Sequence, residues 1–301
     1  MLEFHTLDVF TRQPFAGNPL AVVLGADGLS AVQMQRIARE FNLSETIFVM
    51  APVNPVHTAR VRIFFPTAEI PFAGHPTIGC AILLATLAHP SGDFDTEITL
   101  EEEAGLVPVT VLRRGGLVTA EFVAPVTPQA APGSAPPPLI AAALDLAPGD
   151  LGFGPHLPGL WQGGPAFLYV PVTDAATLFR ARPIEPHWSE LTEAAGVDSA
   201  WVYTRVESPD HYQARMFSPG AGIPEDPATG SAAAIFAAQL RAARMLRPGV
   251  NRITIRQGVE MGRPSDITVT IGYGPDGLGQ IRVAGQAVRI SEGRIRIPGE
   301  T

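Results

Sequence analysis

The chain contains no lysine; all 21 of its strongly basic residues are arginine. That absence removes a Schiff base to pyridoxal phosphate and the lysine of a P-loop. Cysteine is nearly missing as well. With Cys80 alone, the chain has no internal disulfide, no thiolate zinc cluster and no racemase chemistry built on a pair of thiols. Cys80 itself reads as a small core residue. The seven histidines, at 5, 57, 75, 89, 156, 187 and 211, show neither HxxxH nor HxH spacing, so no metal site is expected. Excess positive charge is lacking too. The formal charge is −8 and the arginines form no cluster, which argues against a nucleic-acid partner. No apolar run is long enough for a membrane span, and Met1 to Asp8 carries neither a basic n-region nor a cleavage site. The expectation is a cytoplasmic protein with no membrane partner.

What is present is an apolar fraction of 46% over 301 residues, enough for a substantial core and two domains. Two stretches organise the rest. Arg62 to Ala81 runs from an apolar strand through Pro-Phe-Ala-Gly-His-Pro into a hydrophobic helix, and Arg215 to Ala234 repeats that design through Glu-Asp-Pro-Ala-Thr-Gly-Ser. Unpaired amides and the positive dipole end make each helix mouth an anion site. Two such mouths half a chain apart suggest one cleft between two similar halves.

Around them, strands are expected at Leu2–Phe10, Leu20–Leu24, Leu43–Met50, His57–Phe65, Phe94–Glu102, Leu106–Leu112 and Leu117–Val123. Ser30 is the expected N-cap of a helix ending near Asn42, and a second helix covers about Pro76–Leu87. Pro125 to Pro148, rich in proline and alanine, reads as an exposed connection. The domains are therefore set at 1–125 and 150–301, joined by 126–149. The second half offers strands at Ala166–Val172, Ala200–Val206 and Tyr212–Phe217, with helices at Asp174–Arg180, His187–Ala195 and Gly230–Met245. Short strands follow at Asn251–Arg256, Asp266–Ile271, Gln280–Val283 and Ala287–Ile290. A duplicated α+β unit is the economical reading. Gly272 to Gly277 satisfies GxGxxG, but a strand rather than a helix follows, so it is a hairpin turn and no dinucleotide site. Asn42-Leu-Ser44 is a glycosylation sequon with no secretion signal to make it relevant.

Glu45, at the start of an apolar strand beside Ser44, is the candidate general base. Desolvation there would raise its pKa toward neutrality, although a solvated strand end is the plainer alternative. Asp198 occupies the matching place in the second half and reads as a solvated turn residue. His75, next to Gly74, could donate to a substrate or shuttle a proton, or merely cap the helix. Glu225-Asp226-Pro-Ala-Thr-Gly-Ser231 gives the second mouth a carboxylate, a hydroxyl and free amides, with Asp226, Gly230 and Ser231 as the candidates; Ser231 alone would be an ordinary N-cap.

Several motifs in order then resemble the PhzF-like family of phenazine-biosynthesis-type isomerases: Asp8-Val-Phe-Thr, Phe15-Ala-Gly-Asn-Pro19, Leu43-Ser-Glu-Thr46, Pro71-Phe-Ala-Gly-His-Pro-Thr-Ile-Gly79, Glu225-Asp-Pro-Ala-Thr-Gly-Ser231, Gln257-Gly and Gly262-Arg-Pro-Ser265. The resemblance implies the diaminopimelate epimerase-like fold. In it, two pseudo-symmetric α+β domains each wrap a curved mixed or antiparallel sheet around a central helix, and the last strand is free to return to the first domain. It assigns the acid/base role to Glu45 and implies that Gly74, His75, Asp226, Gly230 and Ser231 line the site, with Ser44 beside them. It implies no cofactor, and a homodimer. The function expected is a cofactor-independent isomerase that moves a proton on a small carboxylate-bearing substrate. An amino-acid epimerase or racemase, and a small-acid-binding protein without turnover, are the alternatives.

Overall fold

The computed structural model describes residues 1–300. Its backbone falls into two compact units, residues 1–123 with 284–300 and residues 124–283. The first unit contains β1 (Leu2–Val9), β2 (Asn18–Leu24), α1 (Ala31–Phe41), β3 (Glu45–Met50), β4 (Ala59–Phe64), β5 (Glu69–Ile70), α2 (Gly74–Ala88), β6 (Phe94–Glu102), β7 (Gly105–Arg114) and β8 (Leu117–Val123). The second opens with β9 (Gln129–Ala130), α3 (Pro137–Ala143), β10 (Gly159–Gln162), β11 (Ala166–Pro171), α4 (Ala175–Arg180) and α5 (His187–Ala195). It continues through β12 (Ala200–Arg205), β13 (His211–Ser218), β14 (Ile223–Asp226), α6 (Gly230–Ala242), β15 (Gly249–Gln257) and β16 (Ser265–Gly274). The last strand, β17 (Gly277–Ile295), gives its residues up to Val283 to the second unit and those from Ala284 to the first.

In the first unit β2 and β3 pair in parallel, β3 and β4 antiparallel, β4 and β6 in parallel, and β6 and β7 antiparallel. The same succession runs through β11, β12, β13, β15 and β16 in the second. The architecture is mixed α+β and dominated by sheet. Helix α2 is apolar on every side, with Ile78, Cys80, Ala81, Ile82 and Leu83 all buried, as befits a helix packed against strands all round. Its Gly79 has no room for a side chain, since a Cβ would stand 2.6 Å from Leu20 and 2.7 Å from Val9. Helix α6 meets the same demand with alanines, and stacks its Phe236 among Tyr169, Trp201, Tyr203 and Tyr212. Helix α1 has the amphipathic pattern instead: Met34, Ile37 and Ala38 face the core. Ser30 and Gln33 close a capping box at its start, and Asn42 ends it in the left-handed region at φ 50.

Two expectations fail here. Pro125 to Pro148 is mostly exposed up to Pro138, but beyond that it packs into the second unit and is no tether. Its Pro-Pro starts α3 at the positions where a missing N–H costs nothing, and Ile140, Ala143 and Leu144 join the core of the second unit with Leu178, Trp188 and Leu191. The expected strands Gln280–Val283 and Ala287–Ile290 are one strand, β17. Gly285, between the two expected strands, lies where a Cβ would collide with the Phe10 ring. The GxGxxG stretch is indeed the β16–β17 hairpin. No helix among the described residues is long and apolar enough to cross a membrane.

Candidate functional site

In the first unit three neighbouring elements deliver polar side chains to one buried place. Glu45 opens β3, all six of whose residues are buried, and is itself only 6% exposed. Its parallel pairing with Leu20 sets it beside β2, which begins at Asn18. Helix α2 starts at Gly74 and brings in His75 on its first turn. The imidazole Nδ1 lies 3.3 Å from Glu45 Oε2 and 3.2 Å from the Asn18 side-chain amide nitrogen. Its Nε2 is buried and has no hydrogen-bond partner in the protein. Burial pushes the His75 pKa down to about 3, opposed by a hydrogen bond to the Pro19 backbone. The ring is therefore neutral near pH 7. The two ring nitrogens thus differ: Nδ1 has polar neighbours on β2 and β3, and Nε2 has none.

The N-cap of α2 is Ala73, which has no side-chain group to close the helix end. The first-turn amides thus stay directed out of the mouth, where an anion would meet them and the positive end of the dipole. Upstream, Arg62 on β4 grips Glu69 on β5 through two contacts of 2.6 Å, and this fork braces the hairpin that feeds the helix.

The second unit shows comparable bracing. Arg215 on β13 forks onto Glu225 of β14 at 2.8 and 2.9 Å, and also donates to the carbonyls of Leu178, Phe179 and Ala181. Both carboxylate oxygens of Glu225 are engaged in this fork. Asp226 is 4% exposed and accepts from the Thr229 hydroxyl at 2.6 Å. Helix α6 begins at Gly230 with Thr229 as its N-cap, so Ser231 is a first-turn residue and not the cap. Since Thr229 spends its hydroxyl on Asp226, no side chain caps this end either.

Behind both residues stands Gln257, fully buried at the end of β15. Its carbonyl oxygen accepts from Trp201 Nε1 at 3.2 Å and from the Thr229 amide at 3.3 Å. Its nitrogen donates to the Asp226 carbonyl at 2.8 Å and to Thr229 Oγ1 at 2.9 Å. Two N–H donors on one side and a carbonyl on the other fix the orientation of the amide.

Of the residues singled out from sequence, Glu45, His75 and Gly74 thus come together in the first unit, with Ser44 half-buried in the preceding turn. Asp226, Gly230 and Ser231 come together in the second. Asp198 is exposed, as a turn residue should be, and Cys80 is buried in α2. Asn18 and Gln257 were not marked as site residues. Both lie inside motifs that drew attention, but their partners are 57 and 28 or more residues away in the chain.

A model of the family described as phenazine biosynthesis-like protein matches residues 7–293. The chain belongs to that family. Its relatives in the phenazine biosynthesis-like family include an uncharacterised isomerase of Mesorhizobium japonicum, 44% identical over 295 residues, with 96% of this chain and 97% of that protein covered. The trans-2,3-dihydro-3-hydroxyanthranilate isomerase of Pseudomonas aeruginosa is 36% identical over 295 residues, covering 98% and 99%. Among solved structures, the PhzF-family phenazine biosynthesis protein of Bacillus anthracis superposes with a TM-score of 0.85 at 27% identity, over 98% of this chain and 99% of that one. The chain is an enzyme of the isomerase type.

Proposed function

We propose that the enzyme moves a proton between carbon atoms of a small carboxylate-bearing substrate, with Glu45 as the general acid/base. The observation that carries this reading is the buried Glu45–His75 contact of 3.3 Å beside the uncapped end of α2. A base next to a stack of amides can take a proton from carbon while the amides hold the negative charge that results, and one such donor is worth roughly 3 kcal/mol of barrier. His75, neutral and with Nε2 toward the ligand, holds the substrate or relays the proton with Glu45. Gly74 and Ser44 bind its polar groups, and Asp226 with the Gly230–Ser231 amides supplies the second unit with a polar helix mouth of its own. The recurring order of strand pairings supports descent of the two units from one duplicated ancestor. No step in this scheme calls for a cofactor.

Trans-2,3-dihydro-3-hydroxyanthranilate, the compound in the name of the Pseudomonas aeruginosa relative, is the first substrate to try. It carries a carboxylate and a ring in which a double bond can shift. Incubation with the enzyme is expected to change the ultraviolet spectrum as conjugation moves. An unchanged spectrum with inverted stereochemistry would instead mark an epimerase. Failure of this and a panel of related cyclic and amino-acid-like acids to react, with tight binding retained, would overturn the catalytic reading.

A further inference from the structure

Glu102 ends β6, the nine-residue strand that follows α2, and is 7% exposed. Its Oε1 lies 2.7 Å from Thr77 Oγ1, and Thr77 Oγ1 lies 2.8 Å from the carbonyl of Ala73, the N-cap of α2. Thr77 has one hydroxyl proton. A carbonyl and a carboxylate can only accept, so an ionised Glu102 would leave one of these two contacts without a proton. Its Oε2 has no partner at all, which for a carboxylate would mean a buried and unsolvated charge.

The second unit shows what the same place requires. There the last residue of the nine-residue strand after α6 is Gln257, an amide that cannot ionise, and it too reaches back to the N-cap of its helix. We propose that Glu102 works as a neutral, protonated acid whose O–H donates to Thr77 while Thr77 donates to Ala73, making it a positioning residue for the mouth of α2. The role of that mouth in catalysis rests on the function proposed above.

The surroundings favour the neutral form. Glu102 lines a cavity of about 670 Å³ with Arg60, Arg62, Glu69, Glu101 and Glu103. Arg62 is held by Glu69, Arg60 by Met50 Sδ, and Glu101 accepts from the Val53 and Asn54 amides and contacts His57. On α2 the facing titratable group is Cys80, a buried thiol pushed further from ionisation by burial and by the nearby carboxyl. Burial accordingly raises the Glu102 pKa to about 8, partly offset by Thr77. Above that, Thr77 must turn its hydroxyl proton to the carboxylate, which leaves the Ala73 carbonyl only the longer 3.3 Å contact from the Thr77 backbone N–H.

The test pairs infrared spectroscopy of the full-length protein, labelled with 13C at glutamate carboxyls, with the pH profile of turnover. A protonated carboxyl band is expected at pH 7 in the native protein and absent in Glu102→Gln, and it should bleach as pH passes about 8. Native turnover at pH 9 should fall to about a tenth of its plateau, following the protonated fraction. Glu102→Gln should hold the plateau there, and Glu102→Ala should be impaired at every pH. A carboxylate spectrum at pH 7, or Glu102→Gln as impaired as Glu102→Ala, would overturn the proposal. The band is read without turnover, so a native enzyme inert toward every substrate would count against the proposed function alone, and the band would still decide the state of Glu102.

Discussion

Replacing Gln257 by leucine keeps a buried side chain of similar bulk, one bond shorter, and removes its hydrogen bonding. The Thr229 hydroxyl loses one partner and keeps the Asp226 carboxylate, and three further groups lose a partner inside the second unit: the Trp201 indole N–H, the Thr229 amide and the Asp226 carbonyl. Each buried polar group left unsatisfied costs about 1–3 kcal/mol, and these three share one small volume, so their costs do not simply add. The apolar leucine returns about 1–2 kcal/mol. The net loss should be about 3–5 kcal/mol. Urea unfolding followed by tryptophan fluorescence measures it, with Trp201 reporting from the affected site. A loss below about 1 kcal/mol would refute the reasoning, because it would mean that the three groups find other partners at no cost. Gln257→Glu sharpens the test. Both acceptor contacts survive, but one donor is lost and a buried carboxyl is introduced, whose folded-state pKa must lie above its unfolded value. Its stability deficit should therefore widen as pH rises and the unfolded chain releases that proton first.

Other perturbations separate the braces from the chemistry. Arg215→Met strands the Glu225 carboxylate and three carbonyls, and should cost about 3–5 kcal/mol in the same unfolding assay, part of which Glu225→Gln in the same chain restores. Gly79→Ala sets a helix gain of about 1 kcal/mol against an overpacking cost of about 1–3 kcal/mol against Leu20 and Val9; the cost wins, and the melting temperature should drop. His75 gives a pH signature. Its folded pKa is about 3 against 6.5 in the open chain, so stability is full above pH 6.5 and declines as pH falls toward 3. Comparing native protein with His75→Asn across that range should remove this decline, and parallel curves would contradict the burial of a neutral imidazole.

Much of the scaffold is local enough to be read along the chain. Ser30 and Gln33 lie three residues apart and announce α1, and the apolar run from Ile78 to Leu83 announces a helix buried on all sides. Glu45, Gly74 and His75 were legible for the same reason, since each sits where a strand or a turn ends. What escaped depends on contacts between distant segments. The gap expected between Val283 and Ala287 closes once Gly285 is set against Phe10, and the prolines of α3 resemble a linker until Ile140 and Leu144 meet Trp188. That Glu225 is a brace shows only once Arg215 is set against it. Glu102 and Gln257 end ordinary-looking strands, and nothing nearby in sequence says that they turn back to the helix mouths.

The central claim is that Glu45 carries a proton to and from carbon, and solvent exchange tests it most directly. Substrate, or an analogue that keeps the acidic C–H, would be incubated with the protein in D2O and analysed by mass spectrometry. Deuterium should enter one carbon position with the native enzyme and be reduced to background by Glu45→Gln, while His75→Asn retains part of the exchange. Equal incorporation by the native enzyme and Glu45→Gln would contradict the account.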